Sequence, residues 1–155
     1  MSVWLPVVFA VSVIAVESTD TFSANHTSNW LRPIVQHLVG PMQDNAWETF
    51  HHYLRKTGHF VGYGLVSLSF LRAWLHTIAE QRTKSPFSLR LESCVRAVIS
   101  TAIVASCDEI HQSTIPSRTG TPYDVMLDTS GAITLCVLVW LVCWFRPGAP
   151  IEADA

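Results

Sequence analysis

Apolar residues along the chain fall into blocks separated by polar stretches, and the blocks have helical rather than strand lengths. Val3 to Val16 is apolar apart from Pro6 and Ser12. At about 1.5 Å per residue it reaches roughly 21 Å, short of a hydrocarbon core of roughly 30 Å. It reads as a thin or tilted span, or as one that starts further upstream. No Lys or Arg precedes it, so it fits a cleaved signal peptide poorly. His59 to Ala79 is long enough to cross, and Arg72 in its last third can snorkel to the nearer interface. Ala97 to Cys107 is the apolar heart of a third block, at most Leu89 to Ile110. Val125 to Phe145 is the cleanest, stopped by Arg146-Pro147-Gly148 before a polar tail. The pattern predicts an all-α membrane helix bundle in a single domain, 1–155, with four spans at about 3–17, 58–79, 94–110 and 125–145.

Between the first two blocks, Trp30, Leu31, Ile34, Val35, Leu38 and Val39 repeat at helical spacing. Ser28 or Asn29 is a suitable cap. This amphipathic helix either lies on the outer interface or packs on the outer loops. Gly40-Pro41 ends it. A further helix starts at Asp44 or Asn45, carries Trp47, Phe50 and Leu54 on one side, and runs into the second span.

Charge sets the orientation. Four crossings put both termini on one side. Arg72, Arg82, Lys84, Arg90, Arg96 and Arg146 mark that side, against Arg32, Arg55, Lys56 and Arg118 on the other. A six-to-four bias places the termini in the cytoplasm of a plasma (inner) membrane protein. Charged residues make up 14% of the chain and apolar ones 49%. That is well below the roughly 25% charged of a soluble domain. A net charge of -2 with no basic stripe excludes a nucleic-acid partner. Cys94, Cys107, Cys136 and Cys143 form no CxxC pair and read as soft packing residues.

Candidate chemistry gathers at the outer end. Arg55, Lys56 and His59 enter the second span there, with Tyr63 on the face of His59 and Ser67 one turn deeper. Asp108, Glu109, His111 and Gln112 leave the third span there. Arg118 follows in the loop, and Asp124 and Asp128 enter the fourth span. An Asp facing lipid costs about 2.5–3.5 kcal/mol at mid-bilayer. Asp128 is therefore expected inside the bundle, paired with Arg118, Arg55 or Lys56. The catalytic candidates are His59, Asp108, Glu109, His111, Asp124 and Asp128. Asp108 would orient His111, and His111 or Glu109 would act as general base. Substrate-binding candidates are Arg55, Lys56, Tyr63, Gln112 and Arg118, with Arg118 suited to a phosphate or carboxylate. The same His and acidic side chains offer ligands for a divalent metal, but no H-E-x-x-H spacing supports one. Gly58-x-x-x-Gly62 reads as a helix-packing pattern. His51 and His52 read as exposed loop histidines, and Asn25-His26-Thr27 as a glycosylation sequon that matters only in a eukaryotic secretory pathway.

The segments Arg55-Lys56-Thr57-Gly58-His59-Phe60-Val61-Gly62-Tyr63, Asp108-Glu109-Ile110-His111-Gln112 with Pro116-Ser117-Arg118, and Asp124 to Gly131 resemble the VanZ-like family. That family has K-x-x-H-F, D-E-x-H-Q, P-x-R and D-x-x-x-D-x-x-G segments. The match runs from Phe22 to about Phe145, and Phe22-Ser23 resembles the pair that follows the family's first span. Many members carry Glu where this chain has Gly62, and Gly where it has Ser117. A role resting on that Glu does not transfer. The resemblance implies a small bacterial membrane protein of several helices. The family is named after a protein associated with resistance to the glycopeptide antibiotic teicoplanin.

Two functions follow as expectations. One is an enzyme that hydrolyses or transfers a group on a membrane lipid or lipid-linked envelope precursor. The alternative is a non-catalytic protein that binds such a ligand or modulates the envelope, linked to glycopeptide susceptibility. A transporter ranks last, because four short spans leave little room for alternating access.

Overall fold

The computed structural model describes residues 3–79 and 85–145, with the side chains of 143–145 outside the description. Arg82, Lys84 and Arg146, which carry part of the orientation argument, therefore lie outside it, as does the tail. The described chain is all helical. Five α-helices run in order: α1 (Leu5–Glu17), α2 (Ala24–Val39), α3 (Asp44–Ala79), α4 (Pro86–Ser113) and α5 (Pro122–Phe145), with a 3₁₀ turn at Asp20–Phe22.

Local signals set the ends. Ser85 caps α4 by accepting from the Ser88 N–H at 3.2 Å, and Pro86 sits in the first turn, where its missing N–H costs nothing. Thr121 Oγ1 accepts from the Asp124 N–H at 3.2 Å and donates to Asp124 Oδ2 at 2.9 Å, a side-chain cap ahead of α5. Gly40 closes α2 at φ +94°, which favours glycine. α2 begins after Ser23, earlier than the expected cap at Ser28 or Asn29. Ser28 instead accepts a bond from Trp47 Nε1 at 2.7 Å.

The core is the packed trio α3, α4 and α5, with α1 laid against α3. Small residues bring the trio close: Ala73, Ala97, Ala105, Ala132, Ser67, Ser93 and Thr101 are all fully buried. α3 has 36 residues, a continuous rod of about 54 Å. As expected, the outer helix beginning at Asp44 runs into the second apolar block without a break. At the far end Trp4 packs edge-on to Trp74, centroids 5.0 Å apart, and Arg96 lies over the same indole.

Outside the trio the surface is apolar. Phe9 on α1 is 71% exposed. Val61 and Leu65 on α3, Ile99 and Ile103 on α4, and Ile133 and Leu138 on α5 are exposed as well. A soluble monomer rarely shows so continuous an apolar surface. Pro122–Val142 in α5 is long and apolar enough to cross a membrane, and α1 is a shorter apolar helix. Of the four expected spans, only the one in α5 meets both criteria among the described residues. α3 and α4 are long enough, but polar residues interrupt them.

Candidate functional site

The expected polar residues do gather at one end of the trio. Two glycines explain how. A Cβ on Gly131 would lie 2.1 Å from the Phe60 carbonyl oxygen, so α5 touches the α3 backbone there. Asp128, one turn earlier, is thereby delivered beside His59. A Cβ on Gly120 would lie 1.9 Å from the Glu109 carbonyl oxygen, so the α4–α5 loop lies on the end of α4. From that position the Thr121 N–H donates to Glu109 Oε2 at 2.9 Å.

The buried carboxylates are unequally satisfied. Asp108 Oδ2 accepts from the Tyr63 hydroxyl at 2.7 Å and from Gln112 Nε2 at 2.9 Å. Its Oδ1 is buried without a hydrogen-bond partner among the described residues. Asp128 is 0% exposed, and neither of its oxygens has a hydrogen-bond partner there. Its nearest charge partner is His59, with Nδ1 3.4 Å from Oδ1. The His59 ring lies nearly parallel to that of Tyr63, tilted 27°, with centroids 6.2 Å apart. Lys56 pairs with Asp124, not with Asp128.

Two cavities adjoin this cluster. The larger, about 360 Å³, has polar lining from Arg55, His59, Tyr63, Asp108, Gln112 and Arg118. Ile14, Phe22, Trp30, Leu31 and Leu54 make its apolar wall. The smaller, about 170 Å³, is lined by Lys56, Glu109 and Asp124 and shares Arg55, His59, Gln112 and Arg118 with the first. Arg118 Nη2 donates to the carbonyls of Glu17 and Thr19, the latter at 2.7 Å. Arg55 Nη1 donates to the Phe22 carbonyl at 3.1 Å. Burial lowers the pKa of Arg118, against the attraction of Asp108, Asp20, Glu109 and Glu17. Burial and then the charge of Arg118 lower that of Arg55.

Several expectations change. Asp108 bonds to Tyr63 and Gln112 rather than orienting His111. The His111 ring turns toward α1, where Nδ1 meets Ser18 Oγ at 2.8 Å, and it lines neither cavity. Asp128 faces His59 instead of an Arg or Lys. Gly58 and Gly62 bring no helix close: nothing lies within 4 Å of a Cβ at either, and both line the larger cavity. His51 is not an exposed loop residue. It is buried in α3, stacked on Trp47 at 5.1 Å, with Nε2 3.1 Å from Thr27 Oγ1. Burial, then Arg55, lower its pKa. His52 is exposed, as expected. Of the cysteines, Cys136 is buried 3.1 Å from Ser67 Oγ, Cys94 is half-buried and Cys107 exposed. The side chain of Cys143 lies outside the description. The sequence reading missed Ser18, Thr121 and the wall residues Trp30 and Leu31. Helical spacing marked Trp30 and Leu31 as an apolar face but not as the wall of a cavity.

One donor set suits a metal ion. Ligand atoms of His59, Asp108 and Glu109 all lie within 4.8 Å of one another. A histidine with two carboxylates is an adequate set for zinc or manganese.

An all-helical bundle with a buried His and acidic cluster at one end defines a class that the comparison with known families makes specific. The model of the VanZ/LLP1 family matches residues 2–144, and the chain belongs to that family. Membrane association is general in the family, and α5 supplies a helix able to cross a bilayer. No curated protein and no solved structure matches the chain.

Proposed function

We propose that the chain is a multi-pass protein of the plasma membrane that hydrolyses, or transfers a group on, a lipid or lipid-linked envelope precursor. The observation that carries this reading is that His59, on the wall of a cavity with Arg55 and Arg118 on one side and apolar residues on another, is backed by fully buried Asp128. Asp128 lies 3.4 Å from Nδ1, and its charge favours the proton there, which leaves Nε2 as the basic nitrogen. Nε2 takes a proton from water or a substrate hydroxyl. This supports His59 over His111 as general base, because His111 is bound to Ser18 and lines neither cavity. Asp108 lines the larger cavity and Glu109 the smaller. The apolar belt supports four spans near 3–17, 58–79, 94–110 and 125–145, and the Lys and Arg bias favours cytoplasmic termini with the cavity at the outer leaflet.

The test is mass spectrometry of membrane lipids and lipid-linked wall precursors. Cells would express the wild type, His59→Ala or Asp128→Asn at matched membrane levels. A species should appear or vanish only with the wild type. Identical profiles would reject turnover and favour the non-catalytic alternative, in which the same cavity binds an envelope component and glycopeptide susceptibility changes without chemistry.

The compact His59, Asp108 and Glu109 donor set favours a second version, in which a divalent metal activates the water. Protein purified without chelator should then carry about one metal ion per chain, lost in Glu109→Gln. A metal-free active protein rejects this version.

A further inference from the structure

Arg55 and Arg118 face the same two cavities, and among the described residues neither forms an ion pair. Their hydrogen bonds go to backbone carbonyls of Glu17, Thr19 and Phe22, at the corner between α1 and α2. Carbonyls fix a guanidinium in place but do not neutralise it. Arg118 is only 8% exposed, and its Nε is buried with no hydrogen-bond partner. A buried charged donor without an acceptor is costly unless a ligand satisfies it. Two adjacent like charges repel, and burial strengthens the repulsion. Arg55 carries the mark of it, its proton affinity lowered by burial and by Arg118. Asp108, Asp20, Glu109 and Glu17 attract Arg118 from beyond ion-pair distance. They temper the repulsion without supplying the missing acceptor.

We propose that Arg55 and Arg118 form a phosphate-binding subsite, and that the phosphate belongs to a molecule whose apolar tail lies along Ile14, Phe22, Trp30, Leu31 and Leu54. The inference rests on the cavity being the substrate site, and it names the substrate class as a lipid phosphate. Two guanidinium forks, one from α3 and one from the α4–α5 loop, together offer more donors than a single flat carboxylate can use, which suits a tetrahedral anion with several oxygens. The tail wall is contributed by α1, α2 and α3 together. The exposed apolar face of α2 continues outward through Ile34 and Leu38, so the tail has an apolar path away from the headgroup.

The test is binding to the purified full chain in nanodiscs of a neutral lipid. Three probes are titrated: short-chain phosphatidic acid, diacylglycerol of the same chain length, and inorganic phosphate. Phosphatidic acid should bind, diacylglycerol should bind at least tenfold more weakly, and Arg55→Gln and Arg118→Gln should each weaken phosphatidic acid about tenfold or more. Arg118 also anchors the α1 corner, so folding is checked by helicity and elution. If Arg118→Gln fails to fold, Arg55→Gln and Arg118→Lys decide. Unchanged affinity in the folded Arg variants overturns the subsite. Equal affinity for inorganic phosphate and phosphatidic acid overturns the tail and leaves free phosphate as the ligand. Binding of phosphatidic acid by the wild type, with no species in cells that depends on the wild type, would sink the proposed reaction and spare the subsite.

Discussion

Tyr63 and Asp108 form a short, buried side-chain bond that links α3 to α4 at the site. Tyr63→Phe keeps the ring and removes the donor. It leaves Asp108 Oδ2 with Gln112 alone, and should cost about 1–3 kcal/mol of stability, measured by unfolding in detergent. Gly131→Ala is expected to be worse than its better helix propensity suggests, because the new methyl meets the Phe60 carbonyl. It should lower the unfolding midpoint and, by pushing α5 away, loosen the His59–Asp128 pair. At this scale the sequence disclosed which polar residues gather at one end but not how they pair. Asp108, His111 and Gln112 share a helix face by spacing, so either His111 or Gln112 was a credible neighbour of Asp108. Which of them reaches it depends on side-chain direction. His111 turned to Ser18 on α1, a contact 93 positions away that no local pattern encodes.

Elements differ in how openly the sequence displays them. α5 was plain, since its apolar run is long and free of charge after Asp128. The continuity of α3 followed from unbroken helical spacing between Asp44 and Ala79. The start of α2 was hidden, because Ser23 and His26 work with the turn at Asp20 instead of with a standard cap: His26 Nδ1 lies 3.1 Å from Ser23 Oγ and 2.9 Å from the Asp20 carbonyl. α2 shows no buried residue, and Leu38 is 77% exposed. A bilayer interface is the natural cover for that face. Leu38→Glu with Ile34→Glu should leave helicity unchanged but raise the accessibility of a cysteine label on α2 in membranes. Equal labelling would mean that α2 does not lie on lipid. The α2–α3 clamp has its own pH signature. Burial and Arg55 hold His51 below its ordinary value of 6.5. The unfolded chain therefore binds the proton more readily, and stability should fall as pH drops through about 6.5. Melting curves on either side of that pH should diverge for the wild type and much less for His51→Gln.

For the whole molecule, the proposed four-span arrangement makes a sharp claim about sides. Reporter fusions after residue 42 and after residue 119 should both report the outer compartment, and one after residue 83 the cytoplasm. Any other combination rejects the proposed orientation. The fold class was legible because lipid exposure writes long apolar blocks into a sequence. The number of spans was less so. α3 and α4 must serve the bundle interior as well as the surface, and their polar interior residues dilute the apolar signal that α5 displays openly. The site was legible in outline for the opposite reason: charged residues near a bilayer are few, and burying them demands that they meet.

α3 also constrains how this chain can change over evolutionary time. One uninterrupted helix bears the α2 clamp at Trp47 and His51 and the site residues His59 and Tyr63. Adding or deleting a single residue between His51 and His59 would twist one set relative to the other by about 100°. Composition and hydropathy would barely change, yet the imidazole would leave the cavity or the clamp would open. Length variation in this lineage should therefore be confined to connectors such as 40–43, while the stretch from 47 to 63 keeps its residue count even where its side chains drift.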